Sequence, residues 1–187
     1  MNSGKGQYQN IHQDLIERCQ MQDQAAQFEI YKLYYKSMYN AALRIVCKPA
    51  EAEDIMQEAF LLAFAKIETY KGEVSFGAWL KKIVINKSID FKRARKAVFE
   101  ELDDRIYEWE EVEEDLIDDT ENLNIQIDRI KKAILKLADG YRIVLSLYLL
   151  EGYDHEEIAQ ILNISESSSR SQLTRAKKKL LELLNNN

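Results

Sequence analysis

The chain has 187 residues, 46% of them hydrophobic and 31% charged, with a formal net charge of -6. That composition is ordinary for a globular protein with real cores, in one domain or two small ones. No run approaches the roughly 20 apolar residues of a membrane span, and the opening MNSGKGQYQN lacks a signal peptide's apolar block, so no membrane insertion and a cytoplasmic location are expected.

Residues 1–24 read as an N-terminal extension. Beyond it, Phe28, Tyr31, Tyr35, Met38, Ala42 and Ile45 recur at three- and four-residue steps, which predicts a long helix with those residues as its core stripe. Pro49, the only proline, interrupts the pattern, and a second helix restarts with Ile55, Ala59, Leu62 and Ala63 on one face. A third begins near Ser75, turning Phe76, Leu80, Ile83 and Val84 inward. It ends in the basic stretch KKIVINKSIDFKRARK, residues 81–96, with seven Lys or Arg against Asp90 alone. Such a stretch is either a solvated face or a phosphate-neutralising one, and Asn86 within it offers a donor and an acceptor to an extruded base. Trp79 and Phe91 could stack on bases, but their places beside Leu80 and Val84 favour packing.

Residues 100–121 hold 13 acidic side chains and only Arg105 as a base, a local charge of -12, whereas residues 1–99 and 122–187 each carry a small excess of cations. A block of like charge repels itself, so this segment is expected to be an exposed linker between two domains, residues 25–97 and 123–187 with the linker at 98–122. In EEIAQILNISESSSRSQLTRAKKKL, residues 156–180, Ile158, Ala159, Ile161 and Leu162 supply the buried face of a short helix. Asn163 suits a left-handed closing position, and Ser165 can cap the helix that follows. That is either a helix-turn-helix or a plain helical hairpin. As a helix-turn-helix it would turn Ser167, Ser168, Arg170, Ser171 and Gln172 toward DNA, bury Leu173, Ala176 and Leu180, and add Arg175, Lys177, Lys178 and Lys179 as cations. Strand-like alternation is nearly absent, so the class is all-α. Cys19 and Cys47 stand apart, with His12 and His155 the only other soft ligands, so neither a metal site nor a disulfide framework is expected, and no Gly-rich phosphate loop or nucleophile with a base suggests a cofactor or an enzyme.

Across residues 25–184 the chain resembles the extracytoplasmic-function group of bacterial sigma factors. AEDIMQEAFLLAF at 52–64 is similar to the family's segment that docks on core RNA polymerase, which implies contacts through Asp54, Gln57, Glu58 and Phe60. FGAWLKKIVINKSIDFKR at 76–93 resembles the segment that opens and reads the minus-10 element, implying roles for Lys81, Lys82, Asn86, Lys87, Asp90, Arg93 and Arg95. Residues 140–180 resemble the minus-35-binding domain, implying duplex contacts from Ser167, Ser168, Arg170, Ser171, Gln172, Arg175 and Lys178. The partners implied are core RNA polymerase, promoter DNA and a sequestering anti-sigma factor. The family's linker threads toward the channel later occupied by nascent RNA. Three positions depart from the pattern: the family usually has a branched apolar residue where Ser169 stands, an arginine where Gln172 stands and a proline where Ala138 stands. The rival readings are a stand-alone helix-turn-helix regulator and a helical adaptor whose acidic run mimics nucleic acid.

Overall fold

The structure, a computed structural model, describes residues 10–99 and 121–185, all helix and connecting turns with no strand among them. The acidic run expected to be a linker lies outside the described residues, save Glu121, which opens a helix. Chain contacts divide the protein into two compact units, Met1–Phe91 and Lys92–Asn187. None of the described helices is long and apolar enough to cross a membrane.

The first unit holds α1 (Gln13–Gln20), α2 (Gln24–Val46), α3 (Pro49–Ala65), a single 3-10 turn at Ile67–Thr69, and α4, which spans Phe76–Phe99 and runs past the unit's boundary. Asp23 starts α2 by accepting from the amides of Ala25 and Ala26 at 2.9 and 3.2 Å, satisfying donors that an α-helix leaves open at its first turn. Arg18 at the end of α1 closes on the same carboxylate at 2.7 Å and, with those amides, holds it below the usual carboxylate range. The left-handed Cys47 (φ 60°) ends α2, and Pro49 sits in the first turn of α3, where its missing N–H costs nothing. Only Cys47 and Lys48 lie between the two helices, so they pack as an antiparallel pair. Ala41, Ala42, Ala52, Ala59 and Ala63 are all buried, and their small size lets the backbones approach closely.

The stretch expected to be an extension contributes to this unit from residue 10 onward. Ile16 and Cys19 of α1 are buried against α2, and burial pushes the Cys19 thiol up to about 11. This packing changes the core face of α2. Ala26 and Ile30, not Phe28, are buried with Met38, Ala42 and Ile45, while Phe28 is 59% exposed with the Lys32 ammonium 4.9 Å from its ring centre, and Tyr35 is also exposed. Because α1 occupies one side of α2's first half, the aromatic stripe is displaced outward there and stacks on itself, Tyr31 on Tyr35 at 5.7 Å.

Asn10 binds the start of α4. Its Oδ1 accepts from the Phe76 amide at 2.8 Å, and its Nδ2 donates to the Tyr70 hydroxyl at 2.8 Å and to Gln13 at 3.2 Å. Tyr70 in turn donates to the Val74 carbonyl at 2.6 Å, and the Ser75 hydroxyl accepts from the Ala78 amide at 3.2 Å. Phe76, Leu80, Val84, Ile85 and Ile89 are the buried side of α4, with Ile83 half-buried. Trp79 lies 5.4 and 5.5 Å from the rings of Tyr70 and Phe76, the packing role its neighbours favoured.

The second unit is built on α5 (Glu121–Leu135), α6 (Asp139–Leu149), α7 (His155–Leu162) and α8 (Glu166–Asn185). Its core combines Ala133, Ile134 and Leu137 with Val144, Leu145, Leu147, Ile158, Leu173 and Ala176. Arg142, only 1% exposed, is tolerated there because its guanidinium donates to the Leu137 carbonyl at 2.8 Å and pairs with Asp139, so its buried charge is partnered.

Candidate nucleic-acid interface

The α7–α8 pair is a helix-turn-helix set by its own residues. Asp154 and Glu157 form a reciprocal capping box, each side chain accepting from the other's backbone amide at 2.8 and 2.9 Å, a D-x-x-E signal readable in the sequence at 154–157. Asn163 takes the left-handed conformation (φ 54°, ψ 50°) that closes α7. Ser165 then accepts from the Ser168 amide at 3.1 Å and opens α8. Of the four residues expected to seat α7, Ile158 is fully buried and Ala159, Ile161 and Leu162 are half-buried.

The outward face of α8 runs through Ser167, Ser171, Thr174 and Lys178, spaced by four, three and four residues, and all four are exposed. Thr174 belongs on this face by that spacing but was not singled out from the sequence. Arg170 and Arg175 flank it, both exposed. Arg170 is paired with Glu166 one turn earlier, whereas Arg175 and Lys178 form no ion pair among the described residues. An exposed i,i+4 pair contributes only about 0.3–0.5 kcal/mol, so Arg170 can be recruited, but Arg175 and Lys178 offer their charge at no such cost. Lys177 sits 5.7 Å from the ring centre of Tyr148, and Lys179 pairs with Glu182 at 3.1 Å.

Gln172 departs from expectation. Its side chain is half-buried and turned toward α6, where a Cβ built on Gly140 would lie 3.3 Å from its Oε1. It therefore lies off the outward face. Ser168 is half-buried, sharing a 2.8 Å hydroxyl contact with Ser165.

Along α4, Lys82, Asn86, Asp90 and Arg93 occupy one exposed side, at steps of four, four and three, the first three within the first unit and Arg93 just past its boundary. Lys81 and Arg95 are half-buried at its edges. Lys87 stands apart, reaching across to Glu58 of α3 at 2.6 Å, so two residues assigned from the sequence to different partners meet each other here. On α3, Asp54, Gln57 and Glu58 are exposed together, and Leu61, 71% exposed, continues their face one turn on. Phe60 does not join them. It is 2% exposed and packs edge-on against Tyr31 at 5.0 Å, so its ring supports the α3 face from beneath. Among the described residues no group of acidic, His or Cys side chains could hold a metal ion.

Comparison with known proteins covers both units. The family model for sigma-70 region 2 matches residues 30–98, and that for sigma-70 region 4 matches residues 127–180. The ECF RNA polymerase sigma factor SigM of Bacillus subtilis is 30% identical over 158 residues, covering 84% of this chain and 94% of that protein. SigW of the same organism is 29% identical over 177 residues, 90% of this chain and 94% of that one. Among solved structures, the sigma factor RpoE of Bartonella quintana, in complex with the anti-sigma factor NepR, superposes with a TM-score of 0.62 at 23% identity over 84% of this chain and 95% of that one.

Proposed function

Because the chain belongs to the ECF group of the sigma-70 family and is an RNA polymerase sigma factor, we propose how its surfaces divide the work of initiation. The exposed α3 face of Asp54, Gln57, Glu58 and Leu61 docks on core polymerase, three polar groups surrounding one apolar contact. The α4 side of Lys82, Asn86, Asp90 and Arg93 takes the unpaired minus-10 strand, with cations on phosphates and the Asn86 amide on a base edge. The outward face of α8 reads the minus-35 duplex through Ser167, Ser171 and Thr174, with Arg175 and Lys178 on phosphates. Residues 25–97 and 123–187 are the two functional domains, joined by the acidic linker at 98–122. The chain acts in the cytoplasm, catalyses nothing itself, and is held inactive by an anti-sigma factor, as RpoE is bound by NepR.

The observation that carries this reading is a capped helix-turn-helix whose second helix turns hydroxyls and uncompensated cations to one side, in a chain where region 2 precedes region 4. A stand-alone regulator would need no region 2. Run-off transcription by purified core enzyme plus this chain on a genomic fragment library tests it: discrete promoter-dependent transcripts are expected, and none above core enzyme alone would refute it.

A further inference from the structure

Ser169 sits where the family resemblance places a branched apolar residue, and it is completely buried on the inner side of α8. A lone buried hydroxyl in a helix ordinarily folds back on the carbonyl four residues earlier. Here it meets another partner. Its Oγ shares a 2.9 Å hydrogen bond with Nδ1 of His155, the first residue of α7.

The imidazole is fixed from three directions. The Asp154–Glu157 capping box holds its backbone, and Tyr148 of α6 stacks on it at 4.7 Å with 26° between the ring planes. Stacking sets the plane of the ring and hence the line along which Nδ1 points. The ring thus joins α6, α7 and α8 at one place, behind the face that carries Ser167 and Ser171.

We infer that His155 is a positioning residue for duplex reading, its hydrogen bond to Ser169 fixing the rotation of α8 about its own axis. The inference rests on the minus-35 reading proposed above. An apolar side chain at this point would set how deeply α8 sits, because dispersion contact is nearly non-directional. A hydrogen bond weakens steeply once its angle drops below about 120°, so it also resists rotation. The difference matters at the DNA surface. Side-chain ends lie about 5–6 Å from a helix axis, so a turn of about 20° moves them by about 2 Å, enough to break a base contact.

The test uses holoenzyme reconstituted from the full chain and core polymerase. A duplex is first enriched by the wild-type holoenzyme from a randomised library. The readout is the ratio of affinities for that duplex and for the same duplex with one base pair changed in its minus-35 half, with thermal unfolding followed in parallel. A single such change costs roughly 5- to 150-fold for a well-seated reader. His155→Phe keeps the stack on Tyr148 and removes the nitrogen, so the ratio should fall toward one. Ser169→Ala should do the same, and the double variant should lose no more than either alone. His155→Asn, which returns a polar atom at the Nδ1 position without the stack on Tyr148, should recover part of the ratio, a rescue that a merely space-filling role would not give. An unchanged ratio in His155→Phe, losses that multiply in the double variant, or an Asn variant no better than Phe would each overturn the inference. A wild-type holoenzyme that enriches no duplex would defeat the minus-35 reading and the inference with it. Wild-type enrichment alongside an unchanged ratio in His155→Phe would defeat the inference alone.

Discussion

Replacing Asn10 by Ala is expected to loosen the first unit far more than a change near a chain end usually does. The amide side chain supplies the partner for the Phe76 N–H at the start of α4, and loss of a capping acceptor costs about 1 kcal/mol, within a range of about 0.5–2. The Tyr70 hydroxyl would also lose its donor but keep its own bond to the Val74 carbonyl, which limits that loss to about 0.5–1.5 kcal/mol. Together these come to about 1.5–2.5 kcal/mol. For a unit of this size each kcal/mol lowers the midpoint by about 4–8 °C, so a fall of about 6–20 °C is expected. Trp79 stands 5.4 Å from Tyr70 and reports on this region, and a Trp109→Phe background makes it the only indole in the chain. Its fluorescence in a thermal scan is the assay. Asn10→Asp supplies a control, because it keeps the acceptor, adds a charge that suits a helix N-terminus, and loses only the amide donor to Tyr70 and Gln13. A midpoint within about 2 °C of wild type for the Ala variant, or equal losses in both variants, would refute the reasoning.

On the DNA-facing side, Arg175→Ala should weaken binding to the minus-35 duplex by about tenfold and reduce the salt slope by about one, while Arg170→Ala, already paired with Glu166, should do less; salt-dependent anisotropy titrations rank the two. Asn86→Ala should leave duplex affinity unchanged yet reduce open complexes, seen as weaker permanganate reactivity of unpaired thymines. Leu61→Asp should weaken binding to core polymerase in a pull-down titration without shifting stability by more than about 0.5 kcal/mol, since the side chain is already exposed. A neutral Gly/Ser sequence in place of residues 100–121 should preserve both folded units but make core binding weaker and less salt-sensitive, and change the ratio of abortive to full-length transcripts. Wild-type values for both would reduce the acidic run to a spacer.

Local signals were the legible ones. Asn163 and Ser165 announced the turn between α7 and α8 because a left-handed closing residue and a capping hydroxyl act within a few residues of themselves. The core face of α2 was harder to read. Its spacing admits two stripes, an aromatic one through Phe28 and Tyr35 and an aliphatic one through Ala26 and Ile30, and the choice depends on α1 packing alongside. Phe60 and Gln172 lie off the exposed faces for a related reason: a family segment names which helix faces a partner, but each side chain's exposure is decided by the neighbouring helix, here by Tyr31 and by Gly140. Asn10 and the His155–Ser169 bond join residues 66 and 14 positions apart, and no local pattern encodes such pairings.

The two-residue connection between α2 and α3 also bears on the sequence of events by which the first unit assembles. Contacts between helices joined so closely form with little loop to close, whereas the contact of Asn10 with Phe76 must gather the whole intervening chain. During synthesis the order is starker still, since Asn10 leaves the ribosome first and waits until α4 exists before its carbonyl and amide find partners. The α2–α3 hairpin is therefore the seed, and the chain's beginning is the last piece to close. A polypeptide arrested between residues 66 and 75 would hold that hairpin but not the clasp, and its N-terminal segment would stay open to proteases until α4 emerged.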